Sequence, residues 1–167
     1  FKKNKIPFII TREPGGTPLS EKLRKIILSK KEFITSSEET LLLMSSRINH
    51  INRIIKSAVK AGKIVITDRF ADSTFVYQGF VNDFGLKNSI DLHKKIINNF
   101  LPSRTFLFLL SVKEINRRLR NRKITNKYDK IDTLFHSKVV SGYKILSKNN
   151  KRFIKINAKL KVDKIQA

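Results

Sequence analysis

The sequence predicts an α/β fold in which a parallel sheet carries helices on both faces. Short apolar runs rich in isoleucine and phenylalanine alternate along the chain with longer segments of helical periodicity. Turn signals such as Pro14-Gly15-Gly16 and Gly62 separate several of these segments. Because a strand, a helix and a further strand form a crossover unit, this alternation indicates parallel strands flanked by helices.

Four apolar runs are predicted as strands, at residues 6–11, 63–67, 105–110 and 152–156. The first three are short and rich in branched or aromatic side chains, a pattern typical of strands that are buried on both faces.

The segments between these strands have the spacing of amphipathic helices. The longest is predicted to begin at Ser36, whose spacing from Glu39 matches a capping box, and to run through Val59 until Gly62 ends it. Residues 70–88 are predicted as a loop-rich stretch with a short helix at 72–78. Other helices are predicted from about Leu19, from Ser89, from Ser111 with Glu114 as a second capping box, from about Asp132 to Ser147, and from Val162.

Composition limits the classes of protein to which the chain can belong. Its 167 residues suffice for one domain with a sizeable core. It contains no cysteine, which excludes disulfides and thiolate metal sites and fits a reducing compartment. No run reaches the roughly 18 apolar residues of a membrane span. The net charge of +23 has two explanations, a polyanionic partner or a coding bias towards lysine, isoleucine and asparagine.

Charged residues follow the first two predicted strands at the points where these strands end. Arg12 and Glu13 follow the first strand, and Asp68 and Arg69 follow the second. Ligands of open α/β sheets bind at the carboxyl ends of the strands, and the guanidinium fork suits phosphate. The residues therefore predict a site for a phosphate-bearing ligand. The alternative is that each arginine is a surface cation paired with a neighbouring carboxylate.

Two motifs at these strand ends resemble those of a known family. The first is Thr-Arg-Glu-Pro-Gly-Gly-Thr at residues 11–17, and the second is Asp68-Arg69-Phe70 followed by Asp-Ser-Thr at 72–74 and Tyr-Gln-Gly at 77–79. Residues 129–132 and 135–143 are similar to the end of the family's lid and to the helix after it. Through these motifs nearly the whole chain resembles thymidylate kinase, a nucleoside-monophosphate kinase of the P-loop class.

The resemblance implies an enzyme that transfers the γ-phosphoryl group of ATP to dTMP, giving dTDP, with Mg²⁺ as cofactor. It implies one partial kinase domain over residues 1–167, with a lid at about 117–130. It also implies a cytoplasmic homodimer with no membrane and no specific nucleic-acid partner.

The family begins with a strand and a G-x-x-x-x-G-K-[ST] loop, which binds the phosphates of ATP. This sequence begins at Phe1 and contains no such loop, so we expect a fragment that lacks the first strand and the loop and cannot act alone. We expect the missing strand to lie between the first two strands, and the C-terminus to be cut as well.

The resemblance assigns the phosphate chemistry to arginines. Arg12 and Arg69 would clamp the phosphate of the acceptor, and Arg118 and Arg122 of the lid would close over the transferring group. For the lid arginines the alternative is a solvated, charged helix face. Asp68 would act near Mg²⁺, through water, with a loop-capping role as its alternative.

The resemblance also implies a set of nucleotide contacts. Arg47 would hydrogen-bond the thymine edge, and Thr74 and Gln78 would read the base from the opposite loop. Tyr77 would pack under the sugar or belong to the core. Leu43 stands where the family has a phenylalanine stacked on thymine, so an apolar contact remains without aromatic stacking.

Three residues of the first motif would complete the site. Gly15 and Gly16 would allow the backbone to approach the substrate, with a plain tight turn as the alternative. Glu13 would orient the metal or Arg12.

Two of the nucleotide contacts also have structural alternatives. For Arg47 the alternative is a solvated helix cation, and for Gln78 it is a turn-stabilising amide.

Two other hypotheses compete with an active kinase. One is a truncated, non-catalytic kinase relic. The other is a basic nucleic-acid-binding module, which predicts aromatic residues interleaved with cations. The aromatic residues here lie mostly in apolar runs instead, which favours the kinase.

Overall fold

The structure of the protein is a computed structural model, which describes residues 1–29, 31, 33–120 and 133–166. The chain divides into two compact units, Phe1–Asn98 and Asn99–Ala167. The predicted loop at 121–130, most of the predicted lid, and Arg122 lie outside the described residues.

The first unit consists of two strands with helices between and after them. Its elements are β1 (Phe8–Arg12), α1 (Pro18–Leu28), α2 (Ser36–His50), a π-helical segment (Ile51–Ile55), α3 (Lys56–Lys60), β2 (Ile64–Asp68), α4 (Ala71–Thr74), a second π-helical segment (Phe75–Val81) and α5 (Leu86–Ile97). The second unit consists of β3 (Thr105–Leu109), α6 (Val112–Arg120), α7 (Thr133–Leu146), β4 (Phe153–Asn157) and α8 (Val162–Gln166).

Each unit contains one parallel pair of strands, which confirms the predicted α/β class. β1 pairs with β2 in a register that runs from Phe8 opposite Ile64 to Arg12 opposite Asp68. In the second unit β3 pairs with β4 in the same parallel sense. The expectation that a further strand separates the first two strands is wrong, because β1 and β2 are hydrogen-bonded directly to each other.

The expectation that the strands are buried on both faces is also wrong for the described residues. Side chains alternate between the two faces of a strand, and here one face of each pair remains open: Ile10 is 73% exposed and Phe106 is 59% exposed. Leu107, on the opposite face of β3, is buried. A continuous apolar run in the sequence therefore does not show whether other residues cover one face of a strand or both faces.

The cap of α2 lies one residue earlier than the sequence analysis placed it. Thr35 accepts the backbone N–H of Glu38, and the Glu38 carboxylate accepts the backbone N–H of Thr35, so these two residues form the capping box. Ser36 is the first residue of the helix, and Glu39 is buried in the interior of the unit. The predicted Ser36–Glu39 box is wrong because Thr35 and Glu38 offer the same spacing.

Other helix boundaries differ from the predictions for local reasons. α5 begins at Leu86 after Gly85, whose φ of +91° favours glycine, whereas Ser89 lies inside the helix and donates its hydroxyl to the Leu86 carbonyl oxygen. Residues 70–88 hold α4 and a π-helical segment and are therefore more helical than predicted. The predicted stop at Gly62, which has a φ of +70°, agrees with the end of α3.

The core of the first unit is formed by α1, α2, the π-helical segments and α4. Its most deeply buried apolar side chains belong to Ile27, Met44, Ile51, Ala71, Phe75 and Val76. Throughout the part of the chain that the structure covers, every helix is too short or too polar to span a membrane.

Candidate functional site

The paired strand ends bring the two predicted motifs together. The register places Arg12 opposite Asp68, and the backbone N–H of Glu13 donates to the Asp68 carbonyl oxygen at 3.0 Å. Arg69 follows with a φ of +65°, a left-handed conformation that non-glycine residues adopt rarely and that occurs often at functional sites. The two motifs therefore lie next to each other at one edge of the sheet, as predicted.

Arg12 is exposed and held by a carboxylate that the sequence analysis did not single out. Its Nη2 atom lies 3.1 and 3.0 Å from the two carboxylate oxygens of Glu21 on α1. The same carboxylate accepts the backbone N–H of Gly16 at 3.0 Å. This N–H, together with the Arg12 guanidinium, holds the pKa of Glu21 below its usual range. Glu21 thus fixes both the arginine and the turn that follows β1.

Arg24 is a third arginine at the strand ends. It lies on α1 and donates from Nη1 to the Pro14 carbonyl oxygen at 2.9 Å. Partial burial lowers its pKa, and the positive charges of Arg12 and Arg69 lower it further. The carboxylates of Glu21 and Asp68 act on Arg24 in the opposite direction and offset part of this positive charge. The charge that remains at the strand ends is positive and favours a bound anion. The sequence analysis missed Arg24 because nothing in its own helix indicates that it faces the strand ends.

Arg47 is the centre of a buried polar network, in contrast to the exposed arginines. Its side chain is only 2% exposed, which excludes a solvated helix cation. Its Nε atom donates to Glu13 Oε2 at 2.8 Å, and its Nη2 atom donates to Thr74 Oγ1 at 2.8 Å. The guanidinium also lies 5.3 Å from the centroid of the Phe70 ring, within the range of a cation–π contact.

His50 extends this network to β1. One ring nitrogen, Nδ1, lies 3.1 Å from Glu13 Oε1, and the other, Nε2, lies 2.7 Å from Thr11 Oγ1. His50 is fully buried and Glu13 is 5% exposed. Glu13 therefore bridges Arg47 and His50, and its carboxylate does not contact Arg12, which pairs with Glu21 instead.

The other predicted base contacts lie on α2, on α4 and on the π-helical segment that follows α4. Leu43, one turn before Arg47 on α2, is buried, as is Thr74 at the end of α4. Gln78 is buried as well, and its Nε2 atom donates to Glu39 Oε1 at 2.7 Å. The sequence analysis named Glu39 only as a capping residue and so missed this contact.

Tyr77 and the two glycines make contacts that support local order. The Tyr77 ring lies 5.0 Å from the guanidinium carbon of Arg69, so the aromatic ring and the arginine form a cation–π pair. Gly15 and Gly16 have φ values of +137° and +86°. A Cβ atom at Gly16 would lie 2.8 Å from the His50 ring, so this glycine is required by packing; approach to a substrate stays a prediction.

Arg118 belongs to the second unit and lies on α6. Its Nε atom donates to Glu114 Oε1 at 2.7 Å, and its Nη2 atom donates to the Ala158 carbonyl oxygen at 3.0 Å. Its predicted role in a lid stays a prediction.

Asp68 is the predicted metal residue, and it lies exposed at the end of β2. Among the residues with described positions, no three His, Cys, Asp or Glu side chains form a group that could hold a metal ion. Mg²⁺ commonly uses only one or two carboxylates and takes its remaining ligands from substrate phosphates and water. A single exposed carboxylate at the strand ends is compatible with that requirement.

Comparison with known proteins decides the family. The family described as thymidylate kinase matches residues 1–167. The chain belongs to the thymidylate kinase family. Among curated relatives named thymidylate kinase, that of Staphylococcus epidermidis is 39% identical over 160 residues, which are 94% of this chain and 78% of the relative. Those of Mycoplasma capricolum and Clostridium novyi are 38% and 37% identical and cover 94% and 99% of this chain and 76% and 82% of the relatives.

This membership confirms the resemblance drawn from the two motifs. It supports a kinase that transfers a phosphoryl group to dTMP, with ATP as donor and a general dependence on Mg²⁺. It gives no support to a nucleic-acid-binding module or to a non-catalytic relic. The roles of individual residues are not tested by the comparison.

Proposed function

We propose that the strand ends of the first unit bind dTMP and present its phosphate to the γ-phosphoryl group of ATP. An oxygen of the dTMP phosphate forms a bond to the γ-phosphorus, the bond from that phosphorus to its bridging oxygen breaks, and ADP leaves with the electron pair. Such transfer depends on positioning and positive charge more than on covalent chemistry by the protein. The observation that carries the proposal is the gathering of Arg12, Arg24 and Arg69 at paired strand ends.

The three arginines are proposed to hold the phosphate of dTMP. Arg12 and Arg69 are exposed, so their guanidinium groups are accessible to a ligand, and Arg24 adds charge from α1. A bound phosphate would compete with Glu21 for Arg12, as an anion of higher charge. Tyr77, in contact with Arg69, is proposed to pack under the sugar.

The buried network is proposed to form the base side of the site. Arg47 and Thr74 are hydrogen-bonded to each other and would both meet the thymine edge. Leu43 would contact the face of the base, and Gln78 would read its edge. Glu13 holds Arg47 in place from the opposite side, which supports an orienting role for this carboxylate.

The remaining assignments are proposals of the same kind. Asp68 would act near Mg²⁺ through water, and the ion when bound would neutralise charge on the phosphates. Arg118 and Arg122 would close over the transferring group, and the protein would act as a homodimer. A cytoplasmic site of action is proposed from the family to which the chain belongs.

Replacement of Arg69 by alanine tests the phosphate site. In a chain that includes the family's G-x-x-x-x-G-K-[ST] loop, we expect Arg69→Ala to lower kcat/KM for dTMP by about 100-fold, because a charged contact to the phosphate is lost while the fold is kept. Arg104→Ala, which removes an equally charged and exposed side chain from the second unit, is the matched control and should leave turnover unchanged. A coupled ATP/dTMP assay measures both. Turnover near that of the wild type in Arg69→Ala would refute the phosphate assignment.

A further inference from the structure

Two hydrogen bonds connect α2 with the segment formed by α4 and the π-helix that follows it. Arg47 and Thr74 form one of them, at 2.8 Å, and Gln78 and Glu39 form the other, at 2.7 Å. Glu39, Leu43 and Arg47 are spaced four residues apart and lie on one face of α2. Glu39 therefore belongs to the same row of side chains as the proposed base contacts.

A glutamate at position 39 carries a high free-energy cost, because its carboxylate is buried. It is 4% exposed, and Gln78 is 3% exposed. Burial of a carboxylate costs far more than burial of an amide or a hydroxyl group, even when a hydrogen bond compensates part of the cost. An amide at position 39 could also accept the hydrogen bond from Gln78, but it would not fix the direction in which the Gln78 amide points.

A carboxylate and an amide differ in whether they can donate hydrogen bonds. An ionised carboxylate only accepts hydrogen bonds, whereas the glutamine side chain has an NH₂ group that donates and an oxygen that accepts. If the amide oxygen of Gln78 pointed towards Glu39, two hydrogen-bond acceptors would face each other. The NH₂ group of Gln78 therefore points towards Glu39. The oxygen is then directed away from Glu39, and a flip of the amide is prevented.

A fixed amide distinguishes the two pyrimidine bases. On its pairing edge thymine presents a ring N–H donor at N3 next to the acceptor O4, whereas cytosine presents an acceptor at N3 next to a donor amino group. An amide oxygen accepts from thymine N3–H but meets the lone pair of cytosine N3. The orientation of the Gln78 amide therefore selects between these bases.

We propose that Glu39 is a positioning residue that fixes the Gln78 amide with its oxygen towards the base and so makes the site prefer dTMP to dCMP. This inference rests on the proposed dTMP site and adds the source of its base preference. Glu39 acts through Gln78 and does not itself contact the nucleotide.

The test compares dTMP and dCMP binding to the whole chain by isothermal titration calorimetry, for the wild type and for Glu39→Gln. In the variant the amide introduced at position 39 can either donate or accept, so the Gln78 amide can turn and offer its NH₂ group to cytosine. We expect the ratio of the dCMP to the dTMP dissociation constant to fall at least about ten-fold. Because both ligands are titrated into one preparation, the ratio does not depend on the folded fraction.

Two further variants separate positioning from structure. Glu38→Gln removes the same charge one residue earlier, at an exposed position where glutamine also serves a capping box, and should leave the ratio unchanged. In a Gln78→Leu background, Glu39→Gln should not alter the ratio, because the amide through which it acts is gone.

The outcomes distinguish this inference from the proposed function. An unchanged ratio in Glu39→Gln, with dTMP still preferred by the wild type, overturns the positioning role alone. A wild type that binds neither nucleotide, or binds both equally, overturns the dTMP site and the inference with it. A shift that persists in the Gln78→Leu background would also overturn the role of Glu39 through Gln78.

Discussion

Two arginine–glutamate pairs in this protein have nearly the same length and very different surroundings. Arg47 Nε lies 2.8 Å from Glu13 in the first unit, with both side chains at most 4% exposed. Arg118 Nε lies 2.7 Å from Glu114 in the second unit, with 46% of the arginine side chain exposed. Water screens the second pair, whereas loss of either partner in the first leaves a charge without compensation in the interior.

The comparison separates the two pairs by their freedom to rearrange. The buried pair fixes its side chains in one arrangement, which is compatible with the proposed base contact of Arg47. The exposed pair can open at little cost, which is compatible with the proposed lid role of Arg118. Distance alone does not separate the two cases; burial does.

The largest effect is expected when the buried pair loses its acid. Glu13→Ala should lower the free energy of unfolding by about 3–5 kcal/mol, because Arg47 is left buried without its carboxylate. Glu114→Ala is the matched control on the exposed pair and should change stability little. Urea denaturation measures both variants. Equal losses in the two would remove the distinction drawn between the pairs.

A smaller effect on stability is expected when both charges of the buried pair are removed. Once Glu13 is alanine, Arg47→Met should cost less than it does in the wild type, since it now removes an uncompensated charge. We expect an interaction energy of about 0.5–3 kcal/mol from the double-mutant cycle in urea. Strictly additive losses would mean that the two side chains do not stabilise each other.

The smallest effect is expected from acid titration of the exposed pair. Arg117 and Arg118 hold the pKa of Glu114 at about 2, against an ordinary value of 4.5. Because the folded pKa is the lower one, the stabilisation is fully present above about pH 4.5 and is lost as the pH falls towards 2. An NMR titration of the Glu114 carboxyl group measures the midpoint, which Arg117→Ala should raise. A wild-type midpoint near 4.5 would show that the pairs do not form in solution.

The sequence was sufficient to predict those elements of the fold that depend on a local pattern of residues. The ends of β1 and β2, the turn at Gly62 and the helix near Val162 follow from turn residues and periodicity. The gathering of Arg12 and Arg69 follows from the rule for parallel strand ends. The roles of these arginines in binding stay predictions.

Long-range contacts account for most of what the sequence did not reveal. Glu39 and Gln78 are 39 residues apart, and His50 and Glu13 are 37 apart, so no local pattern indicates either contact. The capping box was misplaced because two Ser/Thr–Glu pairs compete, and only burial of Glu39 decides between them. The π-helical segments were missed because their hydrogen bonds do not change the apolar spacing enough to be noticed.

The register between β1 and β2 limits where the chain can change length. Insertion of one residue within β1 would turn Arg12 to the opposite face of the strand. Insertion of two would restore the face but displace the side chain by roughly 6.6 Å along the strand, beyond the reach of a shared phosphate. Relative to positions within the strands, insertions and deletions before Phe8 and before Ile64, at the amino ends of the two strands, are therefore more compatible with the strand-end site.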